Sequence, residues 1–590
     1  MKLFKSSTLL LLSSMALLPL HGWCQGFLSA KGPKIVNEKG ENVLLRGIGL
    51  GGWMLQEGYM LRVNGAGQQH KIRAGIESLV GTAKTAEFYN AWLDNHTTKA
   101  DIDSMKAWGF NSVRLPMHFN LYTLPSDKEP VAGQNTWLEK GFAMTDSLLA
   151  WCKANGLYLI LDLHAAPGGQ GNDLNISDRD GTKPSLWENE ADQQKTIALW
   201  RKLADRYKDE PYIGAYDIIN EPNYGFEDPE GDKNGLKEQN NVPLKRLMQE
   251  ITKAIREVDT RHIIIIEGNG WGNNYNGILP PWDKNMVLSF HKYWNLNDTK
   301  SIQHILDFRQ RYNIPVWLGE TGENSNVWFT EAIRLFEKNN IGWSWWPLKK
   351  LGANNPLEIP ANDKYMRVID YISGKGSAPT ADVAFDGLME VALATNIRRN
   401  ILHRDVIDAM IRQPFSNKTL PFKPNLINNK GEIKAVDYDL GALRAAYFDT
   451  DTANYRISNP KWTGGNSGRV YRNDGVDIKA DPNETDSYFV TDIATGEWLQ
   501  YTTNILLKGQ YNISVIAAPG KTAGKLALSI GGKPIGKVTV TPAKDNSTQT
   551  WQTYTINNIP LQKGSQVMKV VVENGGMELK SIRFEKIPGR

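Results

Sequence analysis

Cysteine is nearly missing from this chain. There are two in 590 residues, Cys24 and Cys152, and the first sits in an N-terminal segment that reads as a removable leader. The single thiol left over excludes an internal disulfide and any cysteine-built metal centre. Long apolar runs are lacking after that segment, so no transmembrane helix is expected. The formal net charge is +4, and no basic tract with interleaved aromatics is present, which leaves nucleic-acid binding without support. The rest of the composition is ordinary. At 41% apolar and 22% charged residues it suits a soluble protein with large cores, and the length implies two or three domains.

Aromatic residues are the exception, with 19 Trp, 21 Tyr and 17 Phe. Their flat amphipathic rings can stack on the C–H faces of sugars, although core packing is the commoner use of Trp. The leader is equally legible. Lys2 and Lys5 precede an apolar run from Leu9 to Leu20, broken by Ser13 and Ser14 and too short to span a bilayer. Gly22 and Cys24 stand at −3 and −1 of a cut before Gln25. A signal peptide over 1–24 follows, and with it a secreted protein, extracellular or periplasmic. A surface lipoprotein anchored through Cys24 is the weaker alternative, because Trp23 is a poor residue directly before a lipoprotein cysteine.

Past a small hairpin around Lys39-Gly40, apolar strand-like runs alternate with amphipathic helical stretches. The runs are Val43–Gly49, Ser112–Pro116, Leu157–Leu163, Tyr212–Asn220, Ile263–Ile266, Met286–Phe290, Pro315–Leu318 and Ile341–Trp345. Between them Leu244, Leu247, Met248, Ile251, Ile255 and Val258 form the cleanest helical stripe. Strands apolar on both faces and separated by helices imply a parallel sheet, and eight of them suit a closed (β/α)8 TIM barrel. The expected domains are this α/β barrel with a helical flank over 27–413, a linker over 414–430, and an all-β sandwich (jelly-roll) over 431–590. The last is read from short alternating segments punctuated by Lys508-Gly509, Gly531-Gly532 and Asn574-Gly575-Gly576.

In such a barrel the functional side chains lie at the carboxyl ends of the strands. The second run ends in Arg114-Leu-Pro, the third in Asp162-Leu-His164 and the fourth in Asn220-Glu221-Pro222. The sixth ends in His291-Lys-Tyr293, the seventh in Gly319-Glu320-Thr321, and the eighth runs through Trp343 and Trp345 to Trp346. So many polar groups at one mouth are not a packing solution, because each needs a polar partner.

In these residues the chain resembles glycoside hydrolase family 5, the cellulase-type barrel. Arg114, His164, Asn220, Glu221, His291, Tyr293, Glu320 and Trp346 fill that family's pattern in order. The resemblance implies a retaining mechanism, which needs two carboxyls about 5–5.5 Å apart. Glu320 would be the nucleophile, kept ionised by Arg114 and hydrogen-bonded by Tyr293. Glu221 would be the acid/base, its pKa raised most simply by the charge of Glu320. Asn220 would bind the sugar 2-hydroxyl, His164 and His291 would hold substrate or orient the acid, and Trp346 would stack beneath the ring. No metal or cofactor is implied. Trp53, Trp271 and Trp294 are candidate sugar platforms, Trp53 because the Arg46–Trp53 run resembles the exo-β-1,3-glucanase branch. Asp173 and Asp178 read as solvated or turn residues.

Asp437-Tyr438, Tyr447-Phe-Asp-Thr-Asp451, Tyr471–Asp477, Gly496–Tyr501 and Trp551 resemble carbohydrate-binding module family 6. That implies a sugar held between Tyr471 and Trp551, with Trp498 in the core. The family's calcium-binding carboxylates are replaced in Lys434-Ala-Val436, which makes a structural calcium doubtful, and its Asn-rich end becomes Glu578-Leu-Lys580. The expectation is a secreted, monomeric, retaining endo-β-glucanase acting on β-glucan poly- or oligosaccharide. The alternatives are an exo-β-1,3-glucosidase, a mannan- or xyloglucan-active hydrolase, and a non-catalytic glycan-binding surface protein.

Overall fold

The computed structural model describes residues 26–588 except 66, 294, 451–467 and 543–549. The leader, Cys24 and Trp294 therefore lie outside the described residues, as does the Asp451 end of the Tyr447 motif.

Eight parallel strands close into a barrel. They are β1 (Arg46–Gly49), β2 (Ser112–His118), β3 (Tyr158–Ala165), β4 (Ile213–Asp217), β5 (Ile263–Glu267), β6 (Met286–Lys292), β7 (Val316–Gly322) and β8 (Gly342–Trp346), and β8 pairs back onto β1. From β2 onward every strand residue is buried. That is why the strands read as continuous apolar runs: one face meets the helices and the other fills the barrel. In β3, Leu159 and Leu161 join the helix-facing core. Tyr158 and Ile160 instead join an interior cluster with Leu28 and Ile35 from the N-terminal hairpin.

The helical flank has a core of its own. Ile72, Phe88 and Trp92 of the Gln69–His96 segment pack with Val368 of the Asp363–Ile372 helix and Leu388 of Ala381–Ala394. The C-terminal part is a two-sheet sandwich around Tyr438, Tyr447, Tyr501, Ile513 and Phe584. Part of the expected linker belongs to it, because Asn425–Ile427 pairs in parallel with Thr503–Ile505. Trp498, expected in the core, is on the outer face of its strand. Leu499 and Tyr501 alternate inward, while the Lys569 ammonium sits 3.4 Å from the Trp498 ring centroid.

Candidate active site

The barrel delivers Glu221 by extending β4 past its regular end. Ile218 N–H donates to Ile265 O at 3.2 Å and Asn220 N–H to Leu163 O at 3.1 Å, and the Trp200 indole N–H holds the Ile218 carbonyl at 2.8 Å. Pro222 then stops the pairing. Glu221 itself has φ 42°, a left-handed conformation that side chains disfavour. Its N–H is held by Glu267 Oε2 at 2.8 Å. Glu267 ends β5, where the sequence had offered no site residue.

Arg114, fully buried on β2, is the hub. Its Nη1 meets Glu320 Oε1 and lies 3.2 Å from Asp162; its Nη2 donates to Asp217 at 2.8 Å, Asn220 Oδ1 at 2.9 Å and Glu267 at 3.2 Å. A buried cation is tolerated only with such partners. Burial opposes the charge on Arg114, yet the four carboxylates outweigh it and raise its pKa. Burial raises Asp162 and Asp217 in turn, with Arg114 acting the other way.

Around Glu320 the Tyr293 hydroxyl donates to Oε2 at 3.0 Å. The Tyr293 pKa is pushed well up by burial and by Glu320, so it stays a donor. His164 Nδ1 meets Asp162 at 2.8 Å, and the Asn220 amide approaches its Nε2 at 3.3 Å. Burial lowers the His164 pKa to about 3, so the ring is neutral, donating from Nδ1 and accepting at Nε2. His291 bridges the acids, with Nδ1 2.6 Å from Glu221 Oε1 and Nε2 3.1 Å from Glu267 Oε1. Burial works against charge on His291, but Glu267, Glu320 and Glu221 raise its pKa. A Cβ at Gly319 would come within 2.9 Å of His291 Nε2, so glycine leaves room for that ring.

Glu221, His291 and Glu320 present donor atoms within 4.8 Å of one another. The Glu221 pKa is raised to about 7, by burial first and then by Glu320 and Glu267, with His291 opposing. The expected direction stands, but desolvation exceeds the charge of Glu320 as its cause. Asp162, His164 and Glu320 share the same donor spacing, and there Arg114 already supplies the positive charge.

These groups open into a pocket of about 290 Å³ lined by Glu57, Tyr59, His164, Asp173, Asn175, Ile176, Glu221, Tyr293, Glu320, Glu323 and Trp346. Trp346 stacks on His164 with centroids 5.1 Å apart and gives its N–H to the Tyr59 hydroxyl at 2.8 Å. A Cβ at Gly49 or Gly51 would come within 2.6 Å of its indole, which accounts for those two glycines of the Arg46–Trp53 run.

One of the expected platforms lies elsewhere. Trp53 is a core residue, 3% exposed, with its N–H on the Leu93 carbonyl at 2.9 Å. Trp271 is half-buried, its backbone N–H on Pro222 O at 3.1 Å, outside the pocket lining. Asp173, read as a solvated loop residue, lines the pocket instead. Asp178 lines a separate cavity, with His70 at 2.7 Å and His118 at 3.0 Å. Sequence reasoning missed Glu57, Tyr59, Glu267 and Glu323. Glu267 alone left a signal, as the carboxylate closing the run Ile263–Glu267.

Tyr471 and Trp551 do not face each other as a sugar clamp. Tyr471 packs on Tyr488 and Trp551 on Phe489, and these neighbours on the Tyr488–Val490 strand project to opposite faces. Ammonium groups also stand over both rings, Lys423 5.1 Å from the Tyr471 centroid and Lys580 5.2 Å from that of Trp551. At the position of the lost calcium ligands, Lys434 Nζ donates to the Asp486 carbonyl at 3.3 Å.

Residues 73–352 match the family model described as Cellulase (glycosyl hydrolase family 5). Residues 469–586 match the one described as Carbohydrate binding module (family 6). The chain is 27% identical over 386 residues to a beta-xylosidase of Phanerodontia chrysosporium, covering 59% of this chain and 76% of that one. It is 28% identical over 290 residues to endoglucanase C of Acetivibrio thermocellus, covering 48% and 74%. To glucan 1,3-beta-glucosidase 1 of Schizosaccharomyces pombe it is 23% identical over 363 residues, covering 52% and 84%.

Proposed function

From a barrel that is a glycosyl hydrolase family 5 domain, followed by a family 6 carbohydrate-binding module, we propose a secreted, monomeric endo-β-glucanase that cleaves β-glucan by double displacement with retention. Glu320 attacks the anomeric carbon while Glu221 gives its proton to the departing glycosidic oxygen. Water then attacks the glycosyl ester of Glu320, Glu221 takes the water proton, and the Glu320 carboxylate leaves. Arg114 and Tyr293 hold Glu320, and Asn220 offers its amide to the sugar 2-hydroxyl.

One observation carries this reading. Carboxyl oxygens of Glu221 and Glu320 lie within 4.8 Å of each other, which suits the roughly 5–5.5 Å of a retaining pair and not the roughly 6.5–9.5 Å that admits a water in an inverting one. The test is the anomer first released from barley glucan, followed by proton NMR. Release of the β-anomer is expected, and the α-anomer would reject the mechanism.

A second reading, exo-action on β-1,3-glucan chain ends, is favoured by the pocket walls. Glu57, Tyr59, Asp173, Asn175 and Ile176 all line the pocket, and the volume of about 290 Å³ suits a short piece of chain. Products from laminarin and carboxymethylcellulose separate the two. Oligosaccharides with a rapid viscosity drop mean endo-action, and glucose alone from laminarin means exo-action. Among the described residues no helix is long and apolar enough to cross a membrane.

A further inference from the structure

The sandwich loop that carries Tyr471 is docked on the barrel. The Asn473 N–H donates to Asp405 Oδ2 at 2.8 Å, and its carbonyl accepts the Asn326 N–H at 2.9 Å. Its side-chain amide donates to the Asn324 carbonyl at 2.8 Å and to Asn326 Oδ1 at 3.1 Å. Asn326 Nδ2 donates to Asp405 at 2.7 Å and to Asp474 at 2.9 Å. Asp474 also takes Arg472 Nη2 at 2.7 Å and the Tyr438 hydroxyl at 3.0 Å. Asn324, Asn326, Asp405, Arg472, Asn473 and Asp474 are each at most 8% exposed. A buried polar network so connected is rigid, and leaving any member unpaired is costly.

What it grips is the loop directly after β7, the strand that carries Glu320. Glu323 lines the pocket with φ 51° and pairs with Lys350. Asn324 Nδ2 reaches the Tyr293 carbonyl at 3.5 Å, and the Tyr293 hydroxyl holds Glu320 at 3.0 Å. Three contacts therefore join the sandwich to Glu320: Asn473 to Asn324, Asn324 to Tyr293, and Tyr293 to Glu320. The segment that leads into the sandwich keeps Tyr471 occupied. Lys423 Nζ donates to its hydroxyl at 2.6 Å, and the Phe422 ring packs on it at 5.8 Å.

We infer that the sandwich is a working part of the active site. Asn473 is a positioning residue that fixes the loop over 323–326, so that Tyr293 and Glu323 meet the sugar bound at Glu320. This rests on Glu320 being the nucleophile, and a sandwich acting only as a tether would give no such coupling.

The test uses the full-length chain on a soluble β-glucan. A wild type without hydrolysis would reject the reading of the barrel site; every later outcome bears on Asn473 alone. Asn473→Ala is expected to lower kcat about tenfold with KM within about twofold, because a small misplacement near the chemistry is felt in turnover. Arg583→Ala, at an exposed ion pair with Glu432 elsewhere on the sandwich, should leave both unchanged. The decisive arm is the double-mutant cycle with Tyr293→Phe. If Asn473 acts through Tyr293, the double variant loses little more kcat than the worse single variant, whereas losses that multiply would overturn the inference. Should Asn473→Ala not fold, Asn473→Ser, which removes the amide donor to the Asn324 carbonyl while keeping a polar side chain, takes its place in the cycle with the same two outcomes.

Discussion

Glu267 accepts the backbone N–H of Glu221 at 2.8 Å while the same carboxyl group faces Arg114 Nη2 at 3.2 Å and His291 Nε2 at 3.1 Å. One side chain thus sets the unusual backbone of Glu221, the proposed acid/base, and joins it to the cation beneath Glu320. His291 and Arg114 lower the Glu267 pKa against the effect of burial, so it is the ionised member that anchors the rest. Replacing Glu267 by Ala removes a charged acceptor from a buried donor, a loss of about 1.5–3 kcal/mol. The expected result is a fall of about 10- to 100-fold in kcat/KM, read from initial rates on soluble glucan with circular dichroism confirming the fold.

The proton on Glu221 should be visible in the pH profile. A general acid works only while protonated, and its pKa is about 7. Activity is therefore lost as pH rises through about 7, and kcat/KM should show its alkaline limb there. His291 lowers this pKa, so His291→Ala should move the limb to higher pH. A limb that stays in place would show that the proton belongs to another group.

The two carboxylates can be told apart with an activated aryl β-glycoside and azide. Glu221→Ala still forms the glycosyl ester, and azide attacking it gives a β-glycosyl azide. Glu320→Ala cannot form the ester, so azide displaces the leaving group directly and gives the α-azide. Product NMR reads the assignment, and the opposite anomers would exchange the two roles.

Glu57 is a buried carboxylate that lines the pocket, 3.9 Å from His164 Nε2. Burial raises its pKa well up, with Glu320 and Glu221 adding to the effect. A sugar hydroxyl would relieve it. Glu57→Ala is expected to raise KM about tenfold, the loss of one hydrogen bond near a charged group, and to do so more for chain-end products than for internal cleavage. Product profiles of the variant and the wild type check this.

Trp53 should matter for stability and not for sugar binding. Its replacement by Ala empties a core site at a cost of about 3–5 kcal/mol. Urea unfolding should move to a lower midpoint, while KM on the same glucan stays unchanged.

The sequence by itself determined the barrel and the side chains at its strand ends. Strands buried on both faces must be apolar throughout, and helices between them must be striped, so the alternation is written locally. The residues that follow each strand are then obliged to lie at one mouth, and Arg114, His164, Asn220, Glu221, His291, Tyr293, Glu320 and Trp346 could be read from position alone. Local pattern cannot report who meets whom across the barrel. Glu267 lies 153 residues from Arg114, and its role depends on a left-handed turn at Glu221. Glu57 and Asp173 sit on loops and Tyr59 on a single 3-10 turn, too short for any period, so only the folded chain turns them inward. For the same reason Trp53 became core, and Tyr471 and Trp551 took lysines instead of facing each other. The docking of Asn473 on Asn324 joins positions 149 apart; burial, which the tertiary structure alone decides, makes that contact strong enough to matter.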